Sequence, residues 1–254
     1  MSKNKPIDIA ILILVYVAVC AIPFSLIIKN IPALEMSLKI ALQILYSIFA
    51  FFFVRKQEVE MGKNKFNLMA FLLIIPAILI CFSNSITALF MASSFYAGNY
   101  SYLMIFEIIL TIFVVINEEF LFRNILITGL KKFSPLAKIF ISAAIFGLVH
   151  ITHFLSSFNP VDLLVVVYTF GLGLVLGIIY VYVRCIYACI GFHLLFNVLN
   201  DVIFARFAVV NNWMIYCIVN ISIGVLIGIY LLLTYILFFK RTETEEPIEE
   251  NKAA

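Results

Sequence analysis

Long apolar segments dominate this sequence and limit the folds that it can adopt. A transmembrane helix needs about 20 consecutive, mostly apolar residues. Eight segments meet this requirement: about 7–28, 34–54, 66–92, 102–130, 138–158, 161–183, 186–207 and 212–239. Composition agrees, because 65% of the residues are hydrophobic and 12% are charged, whereas soluble domains are roughly half apolar and about a quarter charged. The sequence predicts an all-α fold, a polytopic membrane helical bundle of about eight transmembrane helices.

The placement of lysine and arginine predicts the orientation of this bundle. With a cytoplasmic N-terminus and eight spans, the cytoplasmic connections hold most of the basic residues, as the positive-inside rule requires. Both termini are then cytoplasmic. We expect one transmembrane domain over residues 1–240, followed by an acidic tail, 241–254, that lacks aromatic residues and is disordered. The first apolar run is too long for a typical signal peptide and is interpreted as a retained span.

Overall charge and the cysteines exclude little. A net charge of +3 gives no indication of a nucleic-acid partner, and the lipid bilayer is the expected environment. The five cysteines are odd in number, form no CxxC pair and all lie in apolar runs, which favours small buried hydrophobic residues over disulfides or metal ligands.

Three ionisable residues interrupt the fourth apolar segment, in the stretch NEEFLFR at 117–123. Translocon-type scales put a charge at the centre of a membrane helix at roughly 2.5–3.5 kcal/mol each, so these charges need partners. Glu119 and Arg123 are four residues apart and can pair on one helix face. Glu118 points about 100° away from that pair. It is left as a candidate general base, or alternatively as a protonated, hydrogen-bonded packing residue.

The three histidines of the chain, His150, His153 and His193, all lie in or at the ends of predicted spans. Asn197 follows His193 by one helical turn and shares its face. From a rise of about 1.5 Å per residue, Glu118, His150 and His193 fall at the midplane or in the cytoplasmic half of the membrane. The sequence therefore predicts a catalytic cavity that opens toward the cytoplasmic side.

Together, the segments EEFLFR, FGLVH and HLLFN form the ordered pattern EExxxR, FxxxH and HxxxN. This pattern resembles the CAAX protease and bacteriocin-processing (CPBP) family of intramembrane proteases, which includes type II CAAX prenyl endopeptidases and Abi proteins. The resemblance covers about residues 100–205, the expected protease core. Outside this range the sequence shows no motif of the family.

The resemblance implies a role for each polar position. Glu118 corresponds to the glutamate that activates water, and His150 to the histidine that helps to orient or deprotonate that water. His193 and Asn197 correspond to the pair that stabilises the oxyanion, while Glu119 and Arg123 correspond to a structural ion pair. His153 has no place in the pattern and is interpreted as an interfacial or supporting residue. Glu107, three turns before Glu118, has no assigned role.

A metal remains an open alternative. Glu118, His150 and His193 could bind zinc with an open water position, but the HExxH motif, which puts both histidines on one helix, is absent. A metal-free glutamate mechanism fits the same residues.

The expected function is an intramembrane endopeptidase acting on a membrane-associated peptide or protein. In a bacterial cell membrane, this activity would serve peptide processing, pheromone maturation or self-immunity to a bacteriocin. Two alternatives stay open: a non-catalytic membrane scaffold or immunity protein, and a transporter that uses the intramembrane carboxylates. Each histidine could also simply satisfy a neighbouring backbone group, and Asn197 could hydrogen-bond between helices.

Overall fold

The computed structural model describes residues 6–24, 28, 31–59, 61–64, 66–82, 92–95, 102–158, 163–204, 208–210, 213–234 and 236–237. The α-helices in chain order are α1 (Pro6–Cys20), α2 (Pro32–Lys56), α3 (Leu68–Ile74), α4 (Leu103–Glu119), α5 (Pro135–Val149), α6 (Ile151–Ser157), α7 (Leu163–Val183), α8 (Ile186–Asn197) and α9 (Trp213–Thr234). The short strands β1 (Ala92–Phe95) and β2 (Ala208–Val210) pair antiparallel.

Three helices continue in a different helical geometry. A 3₁₀ segment, Ile75–Phe82, extends α3, while π-helical segments extend α4 over Phe120–Ile127 and α8 over Val198–Phe204. The prediction of an all-helical bundle is confirmed, apart from the short strand pair. Two described helices, Pro32–Lys56 and Val165–Val183, are long and apolar enough by themselves to cross a membrane. The count of eight spans stays a prediction.

The predicted span 138–158 is wrong as one continuous helix, because the chain turns at His150 between α5 and α6. In a continuous helix the backbone N–H of His150 would bond to the carbonyl of Phe146, four residues earlier. It bonds instead to the carbonyl of Gly147, at 3.1 Å. The imidazole Nδ1 of His150 takes the Phe146 carbonyl, at 2.7 Å. Where α5 ends, the side chain of His150 thus bonds to the carbonyl that the backbone N–H would take in a continuous helix.

Two apolar clusters hold the bundle together. The first joins α1, α2, the π-helical segment after α4 and Phe146 of α5. The second joins the 3₁₀ segment after α3 with α7, α8 and α9. Helix α4 lies along α2 and also contacts α8, so it connects the elements of one cluster to those of the other.

Helices α5 and α7 cross at close range. A Cβ added to Gly173 would lie 3.0 Å from the Cα of Ala143, and one added to Gly177 would lie 3.1 Å from the Cγ2 of Ile139. The GxxxG spacing at 173–177 therefore marks a close backbone approach. The same spacing at 224–228 does not, because no described atom lies within 4 Å of a Cβ built on Gly224 or Gly228.

Candidate active site

Helix α4 is fixed to α2 immediately before the two glutamates. The Asn117 side chain donates from Nδ2 to the Gln43 carbonyl oxygen at 3.0 Å and to Gln43 Oε1 at 2.9 Å. Its Oδ1 accepts from the Ser47 hydroxyl at 2.7 Å. A buried amide that satisfies both donors and its acceptor locks the rotation of its helix. The direction in which the next residue, Glu118, points is therefore set by α2.

Three side chains from three other parts of the bundle face the buried carboxylate of Glu118. The hydroxyl of Tyr16, on α1, donates to Glu118 Oε1 at 2.9 Å. His150 Nε2 lies 3.9 Å from Oε1, and His193 Nε2 lies 3.8 Å from Oε2. Glu118 and His193 are 5% and 2% exposed, so these two side chains are held away from solvent, while the His150 side chain is 18% exposed.

The ion pair predicted for Glu119 and Arg123 is present and fully buried. Arg123 Nη1 lies 3.3 Å from Glu119 Oε1, and both side chains have no exposed surface. The guanidinium also lies over the ring of Phe146, 4.4 Å from its centroid. Glu119 Oε1 accepts in addition from Nδ1 of His193, at 2.8 Å. The pair therefore holds the imidazole of His193 as well as its own helix.

These contacts determine the tautomer of each imidazole. The Phe146 carbonyl can only accept, so Nδ1 of His150 carries a proton. The carboxylate of Glu119, ionised beside Arg123, likewise places a proton on Nδ1 of His193. In the neutral form of either ring, Nε2 is then an acceptor. Both Nε2 atoms face Glu118, which makes the space between them suited to a molecule that donates hydrogen bonds.

A cavity of about 150 Å³ opens beside this group. Glu118 and His150 supply its charged and polar wall. The remaining lining side chains come from α1, α4 and the region of the His150 turn: Tyr16, Val17, Cys20, Val114, Val149 and Thr152. Since most of these are apolar, the cavity can receive an uncharged part of a substrate directly beside the carboxylate.

Not every residue singled out from the sequence joins this group. Asn197 is half-buried at the last position of α8, and no hydrogen bond from its side chain to Glu118 is seen within the described residues. Glu107 is half-buried on α4, and the His153 side chain lies outside the described part. Of the cysteines expected to be buried, Cys81 and Cys189 are buried and Cys185 is half-buried. The expectation is wrong for Cys20, which is exposed beside the cavity. Cys217 lies outside the described side chains.

The sequence did not indicate that Tyr16 contacts Glu118, or that the ring of Phe146 packs against both histidines of the site. The Phe146 ring is buried, with its centroid 4.9 Å from that of His150 and 5.9 Å from that of His193. The position of Phe146 at the start of FGLVH, four residues before His150, could have indicated this packing. Tyr16 stands in an apolar run with no motif around it, so only its polar hydroxyl could have pointed to a partner.

The donor atoms do not fit a zinc ion as they lie here. Among the residues that the structure describes, no group of three or more His, Cys, Asp or Glu side chains is arranged to hold a metal. Tetrahedral zinc, with bonds of about 2.0–2.1 Å, brings neighbouring donor atoms to within about 3.4 Å of each other. The two histidine nitrogens lie 3.9 and 3.8 Å from the Glu118 oxygens.

Comparison with known families agrees with the motif pattern. Residues 100–199 match the family model described as type II CAAX prenyl endopeptidase Rce1-like. The match covers less than half of the 254 residues. Over that segment, the chain is similar to a family of membrane-embedded peptidases. No curated protein and no solved structure gave a significant match. The matched segment contains Glu118, His150 and His193 but not Tyr16.

Proposed function

We propose that this Rce1-like chain is an intramembrane endopeptidase that hydrolyses a peptide bond in a membrane-associated peptide or protein. One observation carries the proposal: two imidazole Nε2 atoms face opposite oxygens of one buried carboxylate, at 3.9 Å for His150 and 3.8 Å for His193. Both separations are too long for a direct hydrogen bond. Each is a distance that one water molecule can bridge.

In the proposed reaction, Glu118 is the general base. A water donates one hydrogen to Glu118 and the other to Nε2 of neutral His150. Glu118 removes a proton as the water oxygen attacks the carbonyl carbon of the substrate. The C–N bond then breaks, and Glu118 returns the proton to the leaving amine nitrogen, so that it ends the cycle ionised. A positioned base of this kind contributes roughly 10²–10⁴-fold in rate.

His193 and Asn197 are the proposed donors to the oxyanion of the tetrahedral intermediate. For His193 this role requires a proton on Nε2 as well as on Nδ1. The carboxylate of Glu119, 2.8 Å from Nδ1, stabilises that protonated ring. Asn197 supplies its amide one helical turn later. Glu119 and Arg123 act by holding His193 in place, and loss of one oxyanion donor typically reduces the rate by about 10²–10³.

The proposed setting is a multi-pass protein of a bacterial cell membrane, with both termini and the cavity on the cytoplasmic side. The positions of the basic residues support this orientation. The many exposed Leu, Ile and Phe side chains on α2 and α9 support lipid contact. The family name points to prenylated CAAX proteins as one substrate class. Peptide pheromones, leader peptides and bacteriocins are the others that we propose.

The test compares cells carrying the wild-type chain with cells carrying Glu118→Gln, which removes the base but preserves size. Mass spectrometry should detect peptides that accumulate uncut in the variant, with cleavage reduced by about 10²–10⁴-fold. His150→Ala should behave similarly. Glu107→Gln, on the same helix three turns earlier, is the matched control and should leave cleavage unchanged. Full activity of Glu118→Gln at normal expression would refute the proposal.

A further inference from the structure

The N-terminal helix reaches the active site although it lies outside the matched family segment. Tyr16 of α1 is 2% exposed, and its hydroxyl donates to Glu118 Oε1 at 2.9 Å. We propose that Tyr16 is a positioning residue for Glu118, so that α1 completes the catalytic site. This inference rests on the proposed function of Glu118 as the general base.

The ring of Tyr16 packs against two other aromatic rings, which limits where its hydroxyl points. Its centroid lies 5.1 Å from that of Tyr46 on α2 and 6.5 Å from that of Phe122, which meets it edge-on. A buried phenol needs a hydrogen-bond partner, and here that partner is a catalytic carboxylate. Because tyrosine has only two side-chain torsions, a fixed ring leaves the hydroxyl little freedom.

The hydrogen bond restricts the torsion that the general base depends on. The terminal torsion of a glutamate is broad and roughly two-fold, so an untethered carboxylate turns easily. Tyr16 holds Oε1, which is also the oxygen nearer to His150, and thereby directs Oε2 toward His193. Oε1 keeps lone-pair capacity for a second donor. One water can therefore still be held between Glu118 and His150.

The same helix forms one wall of the cavity. Tyr16, Val17 and Cys20 all line the cavity of about 150 Å³ beside Glu118. A displacement of α1 would therefore change both the cavity and the orientation of the carboxylate. The groups that face Glu118 from the surrounding elements are Tyr16 of α1, His150 at the end of α5 and His193 of α8, while Cys20 of α1 lines the same cavity. Among these described groups, Tyr16 makes the direct hydrogen bond.

Tyr16→Phe is the decisive variant, and Tyr46→Phe is its matched control. Phenylalanine keeps the Tyr16 ring packing and removes only the hydroxyl. The Tyr46 hydroxyl is also buried in the α1–α2 contact, but it donates to the Leu12 carbonyl at 3.3 Å and not to Glu118. Any general effect of losing a buried hydroxyl should appear equally in both variants.

Two measurements on the full chain in proteoliposomes test the inference. The first is cleavage of an internally quenched peptide that ends in a farnesylated CAAX sequence. Tyr16→Phe should reduce kcat by about 10–100-fold and leave KM within about threefold of the wild-type value, because the base is misaligned while the cavity is kept. Tyr46→Phe should leave kcat within about threefold of wild type.

The second measurement is the infrared carboxyl band of Glu118, identified as the band that Glu118→Gln removes. Loss of a hydrogen bond to one oxygen should shift this band in Tyr16→Phe and not in Tyr46→Phe. This comparison needs no substrate. It therefore decides the Tyr16 contact even if the wild-type chain leaves the farnesylated peptide uncut.

The outcomes separate the two proposals. An unshifted Glu118 band in Tyr16→Phe, or an unchanged kcat, would overturn the role of Tyr16 while Glu118→Gln stays inactive. Equal cleavage by the wild type and Glu118→Gln would overturn the proposed function instead. A fall in kcat together with a shifted band, both confined to Tyr16→Phe, supports the inference.

Discussion

The burial of the Glu119 and Arg123 pair predicts that loss of the Arg123 charge strongly lowers the free energy of unfolding. Arg123→Met keeps most of the length and apolar contact of the side chain but removes its charge. Glu119 then remains ionised or takes up a proton, without exposed surface and without a cation. Its Oε2 already has no hydrogen-bond partner among the described residues, so little else is available to compensate for the loss.

The size of the effect follows from the geometry. At 3.3 Å between Nη1 and Oε1, and with an effective dielectric constant of about 20, the Coulomb attraction is about 5 kcal/mol. Arg123 also lies 4.4 Å from the centroid of the Phe146 ring, a contact estimated at about 2 kcal/mol when desolvated. Part of this attraction is offset in the wild type by the free-energy cost of removing both charges from water. Breaking a buried pair typically costs about 3–5 kcal/mol, and we expect Arg123→Met to destabilise by that amount.

The double variant Glu119→Gln with Arg123→Met separates loss of a charge from loss of packing. Glutamine keeps an oxygen that can accept from Nδ1 of His193, and the site no longer contains a buried unpaired charge. We expect the double variant to lie within about 1 kcal/mol of the wild type. The assay is unfolding by SDS in mixed micelles, followed by circular dichroism. The reasoning is refuted if Arg123→Met is as stable as the wild type, or if the double variant is no more stable than the single one.

Two further predictions concern the helix crossing and the metal question. Gly173→Ala should lower the free energy of unfolding by about 1–3 kcal/mol relative to Gly171→Ala in the same assay. The new Cβ at position 173 would lie 3.0 Å from the Cα of Ala143, whereas a Cβ at position 171 would have nothing within 4 Å. Equal stability of the two variants would contradict the close approach. The purified protein should contain far less than one zinc per molecule by elemental analysis and should keep its activity in a chelator. The reason is that the Glu118 and histidine donor atoms are too far apart for zinc. Stoichiometric zinc that is required for activity would show that the donors rearrange.

The sequence was sufficient for features that depend on local spacing. The four-residue separation of Glu119 and Arg123 predicted an ion pair, and the pair is present at 3.3 Å. The GxxxG spacing at 173–177 lies where α5 and α7 approach closely, as that spacing permits. The identical spacing at 224–228 is not found in such a contact. The pattern itself carries no information about which face meets a neighbour, since that depends on how the other helices pack.

Contacts between distant parts of the chain could not be read from spacing. Tyr16 and Glu118 are 102 residues apart, and Gln43 and Asn117 are 74 apart. Helical periodicity orders the residues of one helix but gives no register between two helices. The family pattern covered the second half of the site and gave no reason to look at α1 or α2. Both helices nevertheless orient Glu118. Helix α1 does so through the Tyr16 hydrogen bond to Glu118 Oε1, and α2 through its bonds to the preceding residue, Asn117.

Several residues of the site, though not Tyr16 or His193, stand where a regular α-helix ends. Glu118 and Glu119 are the last residues of α4 before a π-helical segment, and Asn197 is the last residue of α8 before another. His150 stands at the turn between α5 and α6, where its side chain bonds to the Phe146 carbonyl. Wider helical turns and breaks change side-chain direction by amounts that a constant 3.6-residue period does not allow, and they are frequent at functional sites.

A continuous helix over 138–158 would have required the backbone N–H of His150 to bond to the Phe146 carbonyl. With α5 interrupted, the Phe146 carbonyl accepts from Nδ1 of His150, which fixes the proton there and leaves Nε2 of the neutral ring as an acceptor toward Glu118. The interruption of α5 is therefore part of the same arrangement that aims both imidazoles at one carboxylate.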